Sequence, residues 1–155
     1  MISLKEITKH NYDEIIQLGV HEHQKSFVSS ISDSLAQAWV YRETAYPFAI
    51  YDNTTPIGFV MLGYYESRGQ YTLWKFLIDK NFQNKGYGKQ ALQLAVNYLI
   101  NSFDAKEIYT GVLIENERAK DLYTSFGFVE TGVIEDNMIE LKYICKSNHT
   151  TFGRS

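Results

Sequence analysis

Apolar residues alternate with polar or charged ones from Ile2 to Ile7, which predicts a short strand. Thr8 and the run Asn11-Tyr12-Asp13-Glu14 supply cap-forming residues ahead of apolar Ile15, Ile16 and Leu18, so a helix follows. His21 to Ser30 is polar and mixed and reads as a loop or frayed helix. Ser32 or Asp33 is then expected to cap a second helix carrying Leu35, Ala36, Ala38, Trp39 and Val40. From Pro47 the period shortens. Phe48-Ala49-Ile50-Tyr51, the turn-rich Asp52 to Pro56 and the apolar run Ile57 to Tyr65 predict a hairpin. A second turn at Ser67 to Gln70 leads into Tyr71 to Ile78, giving three successive antiparallel strands.

Between Tyr87 and Phe103, apolar Ala91, Leu92, Leu94, Ala95, Tyr98, Leu99 and Ile100 recur at helical spacing. Ile108 to Ile114 reads as a strand, and Glu117 to Ser125 as a shorter helix ended by Gly127. Phe128 to Val133 and Met138 to Ile144 close the pattern as a hairpin around Glu135-Asp136-Asn137. Neither repeats nor linkers interrupt it, so residues 1–146 are expected to be one domain and 147–155 a loose tail.

Composition narrows the function. With 155 residues, 45% of them hydrophobic, the chain suits a single domain with a real core and one active site. A net charge of −3, with Lys and Arg spread along the chain, lacks the basic footprint of a nucleic-acid binder. Cys145 is the only cysteine, so an internal disulfide is impossible and a reducing compartment is expected. The amino end lacks a signal-like apolar stretch, and the longest apolar run is far short of the roughly 20 residues of a membrane span. The expectation is a cytoplasmic protein without a membrane partner, in which the sequons at Asn53 and Asn148 have no role. His21-Glu22-His23 has no further ligand at matching spacing, so no metal site is expected. Cys145 has no histidine partner and reads as an inert thiol.

Gly86 and Gly88 stand between a strand and a helix, where converging backbone N–H groups and the helix dipole suit a phosphate, flanked by Lys85 and Lys89. A Walker A loop is excluded, because position 83 is Gln rather than Gly and Lys89 is followed by Gln90. Gly86-Tyr87-Gly88-Lys89-Gln90-Ala91 does satisfy the dinucleotide pattern G-x-G-x-x-A. That fingerprint needs an acidic residue at the far end of the next strand, whereas Asp104 and Glu107 precede Ile108.

Gln83-Asn84-Lys85-Gly86-Tyr87-Gly88 resembles instead the Q-x-x-G-x-G/A loop of the GNAT superfamily of N-acetyltransferases. The likeness begins at Phe76-Leu77-Ile78-Asp79. It resumes at Asn116, Ala119, Leu122-Tyr123 and Gly127-Phe128, which are similar to that superfamily's N-x-x-A-x-x-L-Y-x-x-x-G-F block. The resemblance implies an α/β (α+β) GNAT fold: a mixed, mostly antiparallel sheet of about seven strands flanked by about four helices. It also implies acetyl-CoA as donor. Phe76, Leu77 and Ile78 would lie along the pantetheine arm, and the N–H of Leu77 or a neighbour would meet the acetyl carbonyl and stabilise an oxyanion, typically worth roughly 3 kcal/mol. Gln83, Asn84, Lys85, Gly86, Tyr87, Gly88 and Lys89 would hold the pyrophosphate, with Asn116 and Ala119 lining the other side of the arm. Tyr123 would deliver a proton to the departing sulfur.

An acceptor ammonium must lose a proton before it can attack, and Glu66, then Glu22, then Glu140 are the candidate bases. Gln24-Lys25-Ser26-Phe27-Val28, Ser34-Leu35-Ala36 and Leu73-Trp74-Lys75-Phe76-Leu77-Ile78-Asp79 look like the bacterial spermine/spermidine (diamine) acetyltransferases. That likeness implies a polyamine acceptor, with Phe27, Tyr64, Tyr65 and Trp74 against its methylenes and Glu22 and Glu66 pairing with its ammonium groups. Other amine acceptors, or a CoA-binding module without turnover, keep the same donor residues. The superfamily often dimerises, and Trp39 or the C-terminal hairpin is a candidate contact.

Overall fold

The apolar run that starts at Ile57 becomes a central strand because both of its faces are covered. Ile57, Val60 and Leu62 join one buried cluster, and Phe59 and Met61 join another on the opposite side. The computed structural model describes residues 1–146; the tail expected at 147–155 lies outside the described residues. In chain order the elements are β1 (Ile2–Lys5), α1 (Tyr12–Ile15), α2 (Ile31–Val40), β2 (Ala45–Asp52), β3 (Thr55–Tyr65), β4 (Gln70–Ile78), α3 (Tyr87–Phe103), β5 (Glu107–Leu113), α4 (Glu117–Phe126), β6 (Val129–Glu135) and β7 (Met138–Ile144). Short 3₁₀ turns occupy Glu22–Gln24 and Lys80–Phe82. The strands form one sheet in the order β1-β2-β3-β4-β5-β7-β6, antiparallel throughout except for parallel β4 and β5. The expected seven-stranded mixed sheet with four helices is the observed one.

α3 follows its predicted span, because Ala91, Leu92, Ala95, Val96 and Leu99 form an unbroken buried stripe against the sheet. α2 starts earlier than expected. Ser30, not Ser32 or Asp33, is its cap: Ser30 Oγ accepts from the Asp33 N–H at 3.0 Å, and this start buries Ile31 to 2% exposure in the second cluster. Among the described residues no helix is long and apolar enough to cross a membrane.

β4 carries one irregularity. Lys75 pairs with Met61 and Leu73 with Leu62, so Trp74 is an extra residue in β4 with no partner of its own on β3. The bulge resets the alternation. Leu73 and Phe76 both pack with the α3 and α4 cluster, and Trp74 and Leu77 pack with the α1 and α2 cluster.

Gly58 marks the tightest approach of β3 to β4: a methyl group there would overlap the backbone oxygen of Leu77 and press on the Ile78 and Ile50 side chains at 3.2 and 3.3 Å. Gly58→Ala is expected to cost about 1–3 kcal/mol, read as a lowered denaturant midpoint. Gly19→Ala, where a methyl group meets nothing within 4 Å, should stay within about 0.5 kcal/mol. Equal midpoints for the two variants would contradict this.

Candidate active site

Parallel β4 and β5 pair at only two positions, Tyr71 with Ile108 and Thr72 with Tyr109. Immediately beyond, the buried Thr110 hydroxyl donates to the Leu73 carbonyl at 2.9 Å. A side chain has taken the place of the next ladder bond, and past that point the strands part. The resulting cleft has a volume of about 340 Å³. Its walls are Trp74 to Leu77 of β4, Thr110 to Leu113 of β5, Ser26 to Ser29 of the loop before α2, Asn116, Ala119 and Tyr123 at α4, and Met138.

Strand register decides which backbone groups of β4 face this gap. The Asp79 N–H donates to Ile57 at 2.8 Å, and Leu77 lies opposite Phe59. Bonded pairs alternate along an antiparallel ladder, so Leu77 turns its N–H and carbonyl to β3, and Phe76 and Ile78 turn theirs toward the gap. Two contacts agree. The Leu77 oxygen crowds Gly58 on β3, and the Ile78 oxygen accepts a bond from Gln83 Nε2 at 2.9 Å on the other side. The N–H turned toward the cleft is therefore that of Phe76 or Ile78. Leu77 contributes a side chain to the α1 and α2 cluster.

At the end of β4 the chain enters the Gln83 to Lys89 loop. Asn84 and Gly86 both adopt left-handed φ values, 63° and 83°, and Gly86 is the cap of α3 with no side chain to satisfy the first-turn N–H groups. Gly88 serves a different purpose: a side chain there would press on Leu122 at 3.3 Å, so its absence lets α3 lie close to α4. Lys85 and Lys89 are exposed and form no salt bridge among the described residues. Unsatisfied N–H groups at a long helix N-terminus between two lysines fit a pyrophosphate.

Two loop side chains do not point that way. Tyr87 donates its hydroxyl to Asp52 at 2.9 Å, which raises its pKa and ties α3 to the end of β2. Gln83 pairs amide to amide with Gln24, at 3.0 and 3.2 Å, besides its bond to Ile78. Both therefore act on the loop's shape, with only their backbones available to an anion.

On the far wall Asn116 caps α4, its Oδ1 accepting from the Ala119 N–H at 3.3 Å. This places Ala119 and, one turn on, Tyr123 over the cleft. Tyr123 is 6% exposed, wedged between the rings of Phe76 and Phe128 at 6.4 and 5.6 Å. Burial pushes its pKa far above the ordinary phenol range, only partly offset by the Thr110 hydroxyl. At neutral pH it is therefore a phenol holding a proton it can donate.

Residues 12–128 match the model of the acetyltransferase (GNAT) family. The chain belongs to the GNAT family. A probable spermine N(1)-acetyltransferase of Bacillus subtilis subsp. natto is 31% identical over 144 residues, covering 88% of this chain and 93% of the relative. The spermine/spermidine N(1)-acetyltransferase of Bacillus subtilis strain 168 matches to the same extent. The crystal structure of spermidine N-acetyltransferase from Vibrio cholerae in complex with CoA and spermine has the same fold, with a TM-score of 0.73 at 20% identity over 92% of this chain and 95% of that one.

Of the acceptor residues expected for a GNAT enzyme of this kind, Phe27 and Trp74 line the cleft, and Tyr64, Glu66 and Glu22 do not. Glu66 lies in the exposed turn before β4, whereas the cleft opens at the other end of that strand, six residues beyond Gln70 or on the order of 20 Å away. Tyr64 packs on Tyr71 near that same turn, at 4.8 Å. Glu22 is exposed and pairs with Lys25 at 3.1 Å. The third candidate base fares better. Glu140 pairs across the sheet with Gly111, and its side chain, 20% exposed, lines a second cavity of about 320 Å³ that shares Thr110, Gly111 and Met138 with the cleft. Thr131 donates to it at 2.7 Å and Arg68 lies 3.6 Å away.

Cys145 is partly buried with its pKa pushed up to about 11, chiefly by burial and then by Glu107, and no metal-holding cluster occurs among the described residues.

Four further contributors had no role assigned from sequence, although Gln24, Lys75 and Asp79 stand in the stretches that carry the resemblance. Thr110 opens the gap and Gln24 ties the loops, while Lys75 donates to Ser29 at 2.9 Å. The buried Asp79 accepts from the N–H groups of Gly19 and Asn81 at 2.8 and 3.1 Å. A polar residue set in or at the end of an apolar run was the available signal for Thr110, Lys75 and Asp79; for Gln24 it was its place in the Gln24 to Val28 stretch.

Gln83→Leu should cost about 1–3 kcal/mol, the penalty for stranding the Ile78 carbonyl and Gln24. Gln83→Leu combined with Gln24→Leu should recover part of that in a double-mutant cycle followed by denaturant titration. Strict additivity would show that the pair is not coupled.

Proposed function

We propose that this GNAT enzyme moves the acetyl group of acetyl-CoA to a primary amine of a polyamine or diamine such as spermidine or spermine, by direct attack within a ternary complex. The observation that carries the donor half is the gap beside Thr110. It leaves the Phe76 N–H and carbonyl and the Ile78 N–H of β4 without a β5 partner, the Ile78 carbonyl being taken by Gln83, on an edge that leads into the α3 N-terminus. An extended amide-bearing arm ending in a pyrophosphate fits an edge of N–H and carbonyl groups followed by a helix N-terminus. Phe76 and Ile78 would hold the arm, the α3 first turn with Lys85 and Lys89 would hold the phosphates, and Ala119 would close the other side. A backbone N–H preset beside the acyl carbonyl stabilises the charge that develops there.

The chain's remaining tasks concern protons. Tyr123, a neutral phenol beside the cleft, would deliver one to the sulfur, whose own pKa of about 8.5 makes it a fair leaving group in any case. Glu140 is the carboxylate we assign to the acceptor side, acting on the ammonium directly or through water. It borders a cavity that also holds Glu135 and Asp136 beside the rings of Tyr65 and Tyr109, with Arg68 as its one cation. This mixture suits an acceptor with alternating ammonium groups and methylenes. The names of the two Bacillus relatives and the spermine in the Vibrio enzyme support the same acceptor class.

Mixing the protein with acetyl-CoA and a panel of amines while following thiol release tests this directly. Spermidine or spermine should give the highest kcat/KM. Preference for an amino acid or an aminoglycoside would overturn the acceptor, and CoA binding without thiol release would make the chain a binding module. Tyr123→Phe is expected to lower kcat by ~10²-fold with CoA affinity retained; full turnover in that variant would remove the phenol from the mechanism. Glu140→Gln should reduce kcat/KM for polyamines, and the loss should shrink as pH rises toward the amine's own pKa of about 10.

A further inference from the structure

Lys75 is the one lysine among the residues lining the cleft. It follows the Trp74 bulge, and the next residue, Phe76, turns its N–H into the gap, so Lys75 stands beside the place where the acyl carbonyl is read to lie. Its Nζ donates to Ser29 Oγ at 2.9 Å and enters no salt bridge among the described residues. An amine half-removed from water, facing a hydroxyl instead of a carboxylate, is an unusual setting for lysine. Burial lowers its pKa, with Asp33 at the start of α2 partly opposing, which raises the share of uncharged, nucleophilic amine.

We propose that Lys75 is an internal acetyl acceptor: when acetyl-CoA occupies the cleft and no amine substrate is present, the chain acetylates its own Lys75 Nζ. This inference rests on acetyl-CoA being the donor. The Nζ ammonium first releases one proton to solvent, the lone pair of the resulting amine forms the C–N bond to the thioester carbonyl carbon, and the nitrogen then gives up a second proton. The C–S bond breaks with its electron pair on sulfur, and sulfur takes up one proton. The products are Nε-acetyl-Lys75 and CoA thiol, with nothing oxidised or reduced. The modified side chain loses its charge and fills the acceptor side of the cleft with an acyl group, so a chain starved of acceptor slows itself.

The test incubates the intact protein with acetyl-CoA alone and maps acetylated lysines by peptide mass spectrometry, with the urea-unfolded chain as chemical background. Exposed Lys85 and Lys89 serve as internal references. In the folded chain Lys75 should be modified roughly tenfold or more faster than either reference, the gain expected from positioning, and excess spermidine should suppress it. Lys75→Arg should abolish the modification; the wild-type map stands without that variant if it folds poorly. Lys75 modified no faster than Lys85 and Lys89, or equally in folded and unfolded chains, or unprotected by spermidine, would overturn the proposal. Thiol release with spermidine in the same preparation separates the two readings. Turnover without Lys75 acetylation rejects this inference alone, whereas the absence of both rejects the donor assignment with it.

Discussion

The bond from Thr110 to the Leu73 carbonyl is the constraint on which the site depends. Two parallel strands in the middle of a sheet would ordinarily stay paired, because each unpaired N–H or carbonyl inside a protein costs free energy. Here β4 and β5 are held together by two register positions and then by one hydroxyl, and beyond it neither strand has the other as partner. The same sheet that forms the core thus ends in an open fork, and its unpaired edge is a template for an extended amide chain. The Trp74 bulge adds the second element: it shifts the alternation so that Phe76 faces Tyr123 and Leu77 backs onto the opposite core.

The wall facing the fork is tied to β4 and the loop beyond it at three points. Asp79 holds Gly19, Gln83 holds Gln24, and Lys75 holds Ser29. Each bond joins a residue in or just after β4 to the segment between α1 and α2, so that segment and the Gln83 to Lys89 loop share their anchors. A change that loosens Gln83 therefore reaches both halves of the site, and for that reason its side chain is better spent on shape than on phosphate contact.

How much of this was legible in the sequence follows from where each feature gets its instructions. α3 was readable to its ends because a continuous buried stripe writes its own period, and the hairpins because turn residues separate apolar runs. The start of α2 was misplaced because Ser30, Ser32 and Asp33 are all capable caps; burial of Ile31, a tertiary fact, chooses among them. The candidate donor residues stood out because a site read by backbone groups calls for glycines at a helix start, at fixed spacing. The assignment to Leu77 or a neighbour narrows to the neighbours Phe76 and Ile78 only with the β3 register, which tells which N–H groups look into the gap. Glu66 was chosen for its place at the end of the hairpin strand, which says nothing about which end of β4 opens.

Donor and acceptor sides differ in kind, and this explains why the second is harder to read. An arm made of amides and phosphates can be held by main-chain groups, so its site is fixed by fold and survives as short motifs. The side chains around the second cavity come from β5, β7 and the turns at Tyr65 to Arg68 and Glu135 to Asp136, segments that meet only through sheet order β4-β5-β7-β6. No local spacing records that meeting. Glu140 shows the point: in the chain it is one of many surface-type carboxylates, and only its register opposite Gly111 brings it to the border of the cleft.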